Sequence, residues 1–254
     1  MTAGVPFWKY YAEGNSYVVV DGADDVLDRV PDLLDPRRGL GADGVLVSRC
    51  ARDGSVMLRI FNADGSEAPM CGNGARCVAA LAISRGDADP ERVVVRAAGG
   101  TVRHRLEDRR TMRMWATMTL ATDPILDRTG SRVQCLVGTP QLVVFAAAEG
   151  FDLERDGRAL ERLHDGGTNV MFAVVDAPGS LTVRPWERGV GAVDGCATGA
   201  AAAVVAAAAA GDWPDTTRVR QPGGTIEVEW NARSRELGMR GCARLVAEGR
   251  VASA

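Results

Sequence analysis

Cys71-Gly-Asn-Gly-Ala75 and Cys196-Ala-Thr-Gly-Ala200 each place a cysteine immediately before an alanine-rich segment. Alanine is the best helix former, so both stretches predict a helix, the first beginning at Asn73 and the second at Thr198. A second shared pattern follows: Gly99-Gly-Thr-Val102 comes 28 residues after the first cysteine, and Gly223-Gly-Thr-Ile226 comes 27 residues after the second. Matching patterns at matching offsets predict that one structural unit is used twice.

The repeat divides the chain into residues 1–118, with the first cysteine pattern, and residues 119–254, with the second. Short apolar runs bounded by glycine, proline and aspartate predict β-strands around the two helices. We therefore expect an α+β fold of two pseudo-symmetric halves that face each other. The predicted strands are Ser16–Val20, Gly44–Val47, Met57–Phe61, Val93–Arg96, Thr101–Leu106, Met112–Met118, Val133–Val137, Leu142–Ala147, Val170–Val175, Leu181–Pro185 and Thr225–Trp230.

The composition is that of an ordinary globular protein, with 46% apolar and 25% charged residues among 254. Thirty basic residues against 33 acidic ones give a net charge of −3, which disfavours binding to nucleic acid. The sequence has no basic leader followed by an apolar run, and no apolar run long enough to span a membrane. We expect a cytoplasmic protein that acts on a small molecule, without nucleic-acid or membrane partners.

The residue counts also argue against common cofactors. Lys9 is the only lysine, and it lacks the glycine-rich phosphate loop expected beside a pyridoxal-phosphate Schiff base. The six cysteines form no CxxC or Cys-His cluster, so we expect no metal site. The four cysteines outside the repeat are expected to be buried core residues: Cys50, Cys77, Cys135 and Cys242.

The two repeated cysteines have a position that suits proton transfer. The first turn of a helix has unpaired N–H groups and a partial positive charge, which lower the pKa of a thiol and bind carboxylates. A cysteine there is more often structural, but its repetition in both halves favours a function. We predict that Cys71 and Cys196 are catalytic: one thiolate removes the proton beside a carboxylate, and the other thiol protonates the opposite face. Inversion of a stereocentre follows without a cofactor.

The sequence resembles the diaminopimelate epimerase family. Phe61-Asn-Ala-Asp-Gly-Ser66 leads into Met70-Cys-Gly-Asn-Gly-Ala-Arg-Cys77, and Trp186-Glu-Arg-Gly-Val-Gly191 precedes Cys196. The resemblance implies cofactor-independent epimerases that are often dimers. It also implies that each half is a mixed β-sheet curled around a central helix, with the active site in the cleft between the halves. Supporting stretches are Glu13–Tyr17, Gly39–Gly44, Gly138–Gln141, Thr168–Val170 and Pro222–Gly224.

The same resemblance implies a set of substrate contacts. The helix starts at Gly72-Asn73 and Ala197-Thr198 would hold the carboxylate of the inverted centre. Arg188 can pair with a second carboxylate in a forked geometry, and Glu187 can accept an ammonium group. The full set is Asn15, Asn62, Gly72, Asn73, Thr139, Asn169, Glu187, Arg188, Ala197 and Thr198.

The sequence departs from the family pattern at several positions, which include the run Ala192-Val-Asp-Gly195 before the second cysteine and Ala197 in place of a glycine. Gly138-Thr-Pro-Gln141 replaces the usual Gly-Asn-Pro-His, so Thr139 lacks an expected amide. Gln141 replaces a histidine expected near the first thiol, and Gly44 stands where glutamine is common. The first hypothesis is conversion of LL-diaminopimelate to meso-diaminopimelate, for lysine and peptidoglycan precursor synthesis. The alternatives are a related epimerase of another amino acid in specialised metabolism, and a non-catalytic amino-acid-binding homologue.

Overall fold

The computed structural model describes residues 4–22, 24–127, 131–145, 150–164 and 166–252. Its helices are a 3₁₀ helix over Asp24–Arg29 and the α-helices α1 (Val30–Leu34), α2 (Gly72–Arg85), α3 (Leu153–Glu161) and α4 (Ala197–Ala210). The strands are β1 (Val5–Ala12), β2 (Asn15–Asp21), β3 (Gly44–Cys50), β4 (Val56–Asn62), β5 (Glu67–Ala68), β6 (Val93–Ala97), β7 (Gly100–Asp108), β8 (Arg113–Thr119), β9 (Ile125–Leu126), β10 (Arg132–Val137), β11 (Thr139–Phe145), β12 (Asn169–Ala177), β13 (Ser180–Glu187), β14 (Gly191–Ala192), β15 (Thr216–Gln221), β16 (Gly224–Asn231), β17 (Glu236–Cys242) and β18 (Arg244–Val251).

Each predicted strand coincides with an observed strand to within a few residues. Residues 146 and 147 of the predicted strand Leu142–Ala147 lie outside the described residues. The sequence did not predict the 3₁₀ helix or the helices α1 and α3. It also did not predict the strands β1, β5, β9, β14, β15, β17 and β18.

The chain divides into two compact units. The first unit is Met1–Ala116 with Cys242–Ala254, and the second unit is Thr117–Gly241. The sequence-based division at 118/119 differs from this one chiefly at the end of the chain. The last strand returns to the first unit because β18 forms an antiparallel ladder with β1, in which Phe7 lies opposite Gly249.

The sheet of the first unit is mixed. Its strand order is β18-β1-β2-β3-β4-β6-β7, and the short β5 pairs with β4. The β2–β3 and β4–β6 pairs are parallel, and the other pairs are antiparallel. Helix α1 follows β2, and helix α2 connects β5 to β6.

The second unit repeats this topology. Its strand order is β9-β10-β11-β12-β13-β15-β16-β17, with the short β14 on β13. The β11–β12 and β13–β15 pairs are parallel, at the places equivalent to β2–β3 and β4–β6. Helix α3 follows β11 as α1 follows β2, and α4 connects β14 to β15 as α2 connects β5 to β6. The predicted repeat and the predicted mixed sheets are confirmed.

Each unit has one central helix. Helix α2 contacts β1, β2, β3, β4, β6 and β7, and helix α4 contacts β9 to β13 and β16. Strands on several sides leave little room for polar or bulky side chains, which explains the alanine-rich sequences of both helices. Within the described part of the chain, no helix is both long and apolar enough to cross a membrane.

One charged residue lies inside the core of the first unit. Arg76 on α2 has no exposed side-chain surface, and its Nη1 donates to the Glu13 carboxylate and, at 2.9 Å, to Asn73 Oδ1. The other Glu13 oxygen accepts the backbone N–H of Cys242. Asn73 Nδ2 in turn donates to Asn15 Oδ1 at 2.8 Å. The buried ion pair therefore fixes the start of α2 against the β1–β2 turn and against the returning end of the chain.

We predict that Glu13→Gln lowers the free energy of unfolding by about 3 kcal/mol, because the Arg76 charge then stays buried without its counter-charge. Urea denaturation followed by circular dichroism measures the loss. Glu67→Gln is the matched control, since the Arg59–Glu67 side chains are 47% and 45% exposed and such a pair contributes less than about 1 kcal/mol. Equal, small losses in both variants would show that the buried pair does not hold the unit together.

Candidate active site

The two repeated cysteines have the same backbone and side-chain geometry. Cys71 has φ −146° and ψ 117°, and Cys196 has φ −143° and ψ 107°. Each is the N-cap of its helix, and its Sγ accepts the N–H of the third following residue, Gly74 or Gly199, at 3.3 Å. The prediction that each cysteine marks a change from extended chain to helix is confirmed.

Glycine at the third position allows the first helical turn to approach the sheet. A Cβ atom at Gly199 would lie 2.2 Å from Met171 Sδ, and one at Gly74 would lie 3.0 Å from Leu46 Cδ2. Met171 and Leu46 lie on the equivalent strands β12 and β3. The glycines therefore serve the same packing contact in the two units.

The first unit gathers several of the predicted residues around Cys71. The Tyr17 hydroxyl lies 2.9 Å from Cys71 Sγ, and Tyr17 is buried. Asn73 is buried in the first turn of α2 and binds Asn15 through its amide nitrogen. Because the Asn15 oxygen is used in this contact, Asn15 offers a ligand mainly N–H donors. Gly72, the first residue of α2, is also buried.

Asn62 lies at the end of β4, where its Nδ2 donates to Ser66 Oγ at 3.0 Å and its N–H bonds to the Ser66 carbonyl oxygen. In the sheet, Gly44 lies opposite Asn62 on one side and opposite Tyr17 on the other. The structure therefore places Asn62 in the same cross-strand row as Tyr17, with its side chain in a turn.

The second unit connects its predicted residues through one hydrogen-bond network. Thr198 Oγ1 lies 3.5 Å from Cys196 Sγ and accepts Gln141 Nε2 at 3.2 Å. The same nitrogen donates to Thr139 Oγ1 at 2.8 Å, and Asn169 Nδ2 reaches that hydroxyl at 3.5 Å. The structure thus places Gln141 against the helix of the second cysteine. Ala197, the first residue of that helix, is buried.

Arg188 follows β13 and is exposed. Its backbone N–H donates to Asn169 Oδ1 at 2.9 Å, and its Nη1 donates to the Gly166 carbonyl oxygen at 2.8 Å. The contact with Asn169 orders the backbone just after Glu187.

Cys196 has an environment that favours the thiol over the thiolate. Burial raises the pKa of Cys196 well above its ordinary value, and the neighbouring Glu187 carboxylate raises it further. Hydrogen bonds from Thr198 and Gly199 act in the opposite direction but are weaker. The expectation that a helix start lowers the pKa of both thiols is therefore wrong for Cys196, because removal of the sulfur from water outweighs the helix effect.

Tyr17 is the functional candidate that the sequence analysis missed. Asn15 and Tyr17 lie two residues apart on β2, as Thr139 and Gln141 do on β11. Tyr17 lies opposite Gly44, and Gln141 lies opposite Asn169, so the two residues have equivalent positions in the repeat. The sequence did contain one signal. Asn15 and Tyr17 are two positions apart in a strand, and residues at that spacing have their side chains on the same face.

The remaining cysteines have mixed environments. Cys77 and Cys135 are buried, and burial raises the pKa of both thiols, that of Cys135 to about 12. Cys242, the last residue of β17, is partly exposed, so the prediction of a buried core position is wrong for it. Cys50 is exposed, contrary to the prediction of a core position, because it is the last residue of β3, where that strand leaves the core.

Comparison with known proteins agrees with the repeat and with the resemblance. A model of the family "Diaminopimelate epimerase" matches residues 7–119 and 136–246. The diaminopimelate epimerase of Desulforudis audaxviator strain MP104C is 33% identical, with 96% of this chain and 98% of that protein covered. The diaminopimelate epimerase of Methanothermobacter thermautotrophicus is 35% identical, with 96% of this chain and 97% of that protein covered.

A solved structure shares the fold at low identity. It is the crystal structure of a hydroxyproline epimerase from Agrobacterium vitis with bound trans-4-hydroxy-L-proline, which has a TM-score of 0.69 and 16% identity and covers 98% of this chain and 93% of that chain. The predicted fold class is confirmed by this likeness. The family model and the full-length relatives show that the chain belongs to the diaminopimelate epimerase family of isomerases.

Proposed function

We propose that the protein converts LL-diaminopimelate to meso-diaminopimelate, with Cys71 and Cys196 acting on opposite faces of one α-carbon and without a cofactor. One observation carries the proposal: both cysteines cap the start of a buried central helix with the same backbone geometry and the same N–H···S contact. The reaction belongs to lysine biosynthesis. A cytoplasmic location, expected from the sequence, and formation of a homodimer, implied by the resemblance, remain predictions.

The helix starts supply the carboxylate site of this proposal. Each cysteine sulfur takes the N–H of the third helical residue, so the N–H groups of Gly72, Asn73, Ala197 and Thr198 are the ones suited to a carboxylate. Negative charge on that carboxylate increases as the α-proton leaves. N–H groups already directed at it stabilise the carbanionic transition state without reorganisation.

Proton transfer needs one thiolate and one thiol. In the direction that starts with Cys71 ionised, its sulfur accepts the α-proton while Cys196 S–H gives its proton to the opposite face of the carbon. The product then leaves with an inverted centre, Cys71 is a thiol and Cys196 is a thiolate. The reverse reaction uses the same groups with their roles exchanged.

The far end of diaminopimelate is a second amino-acid group. We assign its carboxylate to Arg188 and its ammonium group to Glu187, with support from Asn15, Asn62, Thr139 and Asn169. The exposed guanidinium of Arg188 uses Nη1 for the Gly166 carbonyl, which leaves its other nitrogens for a carboxylate. The contact from the Arg188 backbone to Asn169 supports the same arrangement, since it fixes the segment that carries both charged residues.

A second candidate function is epimerisation of another amino acid. The observation in its favour is the network of Thr139, Gln141 and Thr198, in which the two departures from the family loop bind each other. A threonine hydroxyl there replaces the amide that the family pattern provides for the far end of the substrate. This candidate keeps the two-thiol chemistry and changes only the substrate.

We predict that the protein forms meso-diaminopimelate from the LL isomer and does not invert ordinary L-amino acids, because these lack the second charged group that Glu187 and Arg188 would bind. Chiral chromatography after incubation with LL-diaminopimelate and with a panel of L-amino acids measures the conversion. Inversion of a different amino acid alone would establish the second candidate. Binding of diaminopimelate without inversion would identify a non-catalytic homologue.

We also predict that Cys71→Ser and Cys196→Ser each reduce turnover by about 10²- to 10⁴-fold, because a hydroxyl ionises far less readily than a thiol. Steady-state kinetics in both directions measure the loss. Cys50→Ser is the control, since this exposed cysteine ends β3 and should be replaceable without effect. Near-normal turnover in either of the first two variants would contradict the assignment.

A further inference from the structure

The sulfur of Cys71 lies between two hydrogen-bond donors. Tyr17 Oη is 2.9 Å from Sγ, and the Gly74 backbone nitrogen is 3.3 Å from it. A phenol hydroxyl is a better donor than a thiol, whose S–H is weak, so Tyr17 donates and the sulfur accepts. A sulfur that accepts two hydrogen bonds is stabilised in its ionised form.

The position of the Tyr17 ring depends on the neighbouring strand. Tyr17 lies directly opposite Gly44 in the β2–β3 ladder, and a Cβ atom at Gly44 would lie 3.3 Å from two ring carbons and 2.8 Å from the Phe61 carbonyl oxygen. A side chain at position 44 would therefore press on the ring. Gly44, one of the departures from the family pattern, leaves the space in which the tyrosine reaches the cysteine.

We propose that Tyr17 is a positioning residue for Cys71: its hydroxyl donates to the sulfur and stabilises the thiolate, so that the free protein holds Cys71 as the base. This inference rests on the proposed function. Tyr17 keeps its own proton throughout. The α-proton moves from carbon to the Cys71 sulfur, and the Cys196 proton moves to the opposite face of the carbon. Afterwards Cys71 releases its proton to water and Cys196 takes one from water, which restores the Cys71 thiolate and the Cys196 thiol.

The second unit has a different arrangement at the equivalent position. Gln141 directs its amide nitrogen to Thr198, which lies between it and Cys196. Burial and the Glu187 carboxylate raise the pKa of Cys196, so this thiol keeps its proton. Both sulfurs accept the N–H of the third following residue, but Cys71 has a phenol hydroxyl at 2.9 Å, whereas Cys196 has a threonine hydroxyl at 3.5 Å and a carboxylate beside it.

Other ionisable groups near the start of α2 are Cys77, Cys242, Arg76, Glu13 and His104. Burial raises the pKa of Cys77, and burial with the Arg76 charge lowers the pKa of His104 to about 3. Both groups are therefore neutral between pH 5 and the alkaline range. Arg76 and Glu13 are paired with each other. Burial also raises the pKa of Cys242. These groups are the same in the unchanged protein and in a variant of Tyr17, so a comparison of the two isolates the contribution of the Tyr17 hydroxyl.

The test is Tyr17→Phe, which removes the hydroxyl and keeps the ring. The rate of Cys71 alkylation by iodoacetamide is measured against pH in the ligand-free protein, with peptide mass spectrometry to assign the site. Loss of a hydrogen bond to a charged group should move the midpoint for Cys71 upward by about one pH unit and leave Cys196 unchanged. The acid limb of the kcat/KM profile should move in the same direction.

Tyr10→Phe is the matched control. Tyr10 lies opposite Tyr17 in the β1–β2 ladder and is buried, but its hydroxyl bonds to Ser84. This variant should leave the Cys71 midpoint where it is. An unchanged or lower midpoint in Tyr17→Phe, or an equal shift in Tyr10→Phe, would overturn the inference. Because alkylation is measured without substrate, the expected shift in a protein that inverts no amino acid would reject only the proposed function.

Discussion

The N–H groups at the start of a buried helix are the constraint on which the site depends. Both central helices are enclosed by strands, so their first turns cannot be hydrated freely. In each unit the cysteine sulfur accepts a hydrogen bond from the third of these N–H groups. The first two N–H groups of the helix favour an anion. Because a helix begins inside each core, a thiol lies beside N–H groups that are suited to a carboxylate. Repetition of the unit supplies two such thiols, the number that inversion of a carbon centre needs.

A repeated fold gives two similar thiols, whereas inversion needs a base and an acid at any one moment. In the proposed mechanism, the neighbours of the cysteines supply this difference. Tyr17 and Gln141 have equivalent positions in the two sheets, but only Tyr17 contacts its cysteine directly. Glu187 and burial keep Cys196 protonated. The topology therefore sets the geometry, and a few side chains around each cap distinguish the two roles.

Local patterns made much of the fold predictable. The cysteine and glycine motifs, at offsets of 28 and 27 residues, predicted the repeat, and short apolar runs predicted the inner strands. The pairing of β18 with β1 joins the two ends of the chain, and no local pattern indicates such a contact.

Helix α3 was missed because Gly157 interrupts a short, highly charged segment. A Cβ atom at position 157 would lie 2.6 Å from the Trp186 ring. Glycine is therefore required there by packing against Trp186, despite its low helix propensity. In the site, the Tyr17–Cys71 contact joins residues 54 positions apart, which no local pattern indicates. The raised pKa of Cys196 arises from burial, which depends on the folded structure.

The division of one proton transfer between two thiols is tested most directly by following solvent deuterium. The substrate is incubated with the protein in D₂O to low conversion, and the deuterium content of the inverted α-carbon is measured separately in the product and in the recovered substrate. Two separate groups predict deuterium in the product and almost none in the recovered substrate, because the thiol that donates to the product is not the one that took the substrate proton. Equal deuterium in both isomers would show that a single group removes and returns the proton, and would contradict the two-thiol mechanism.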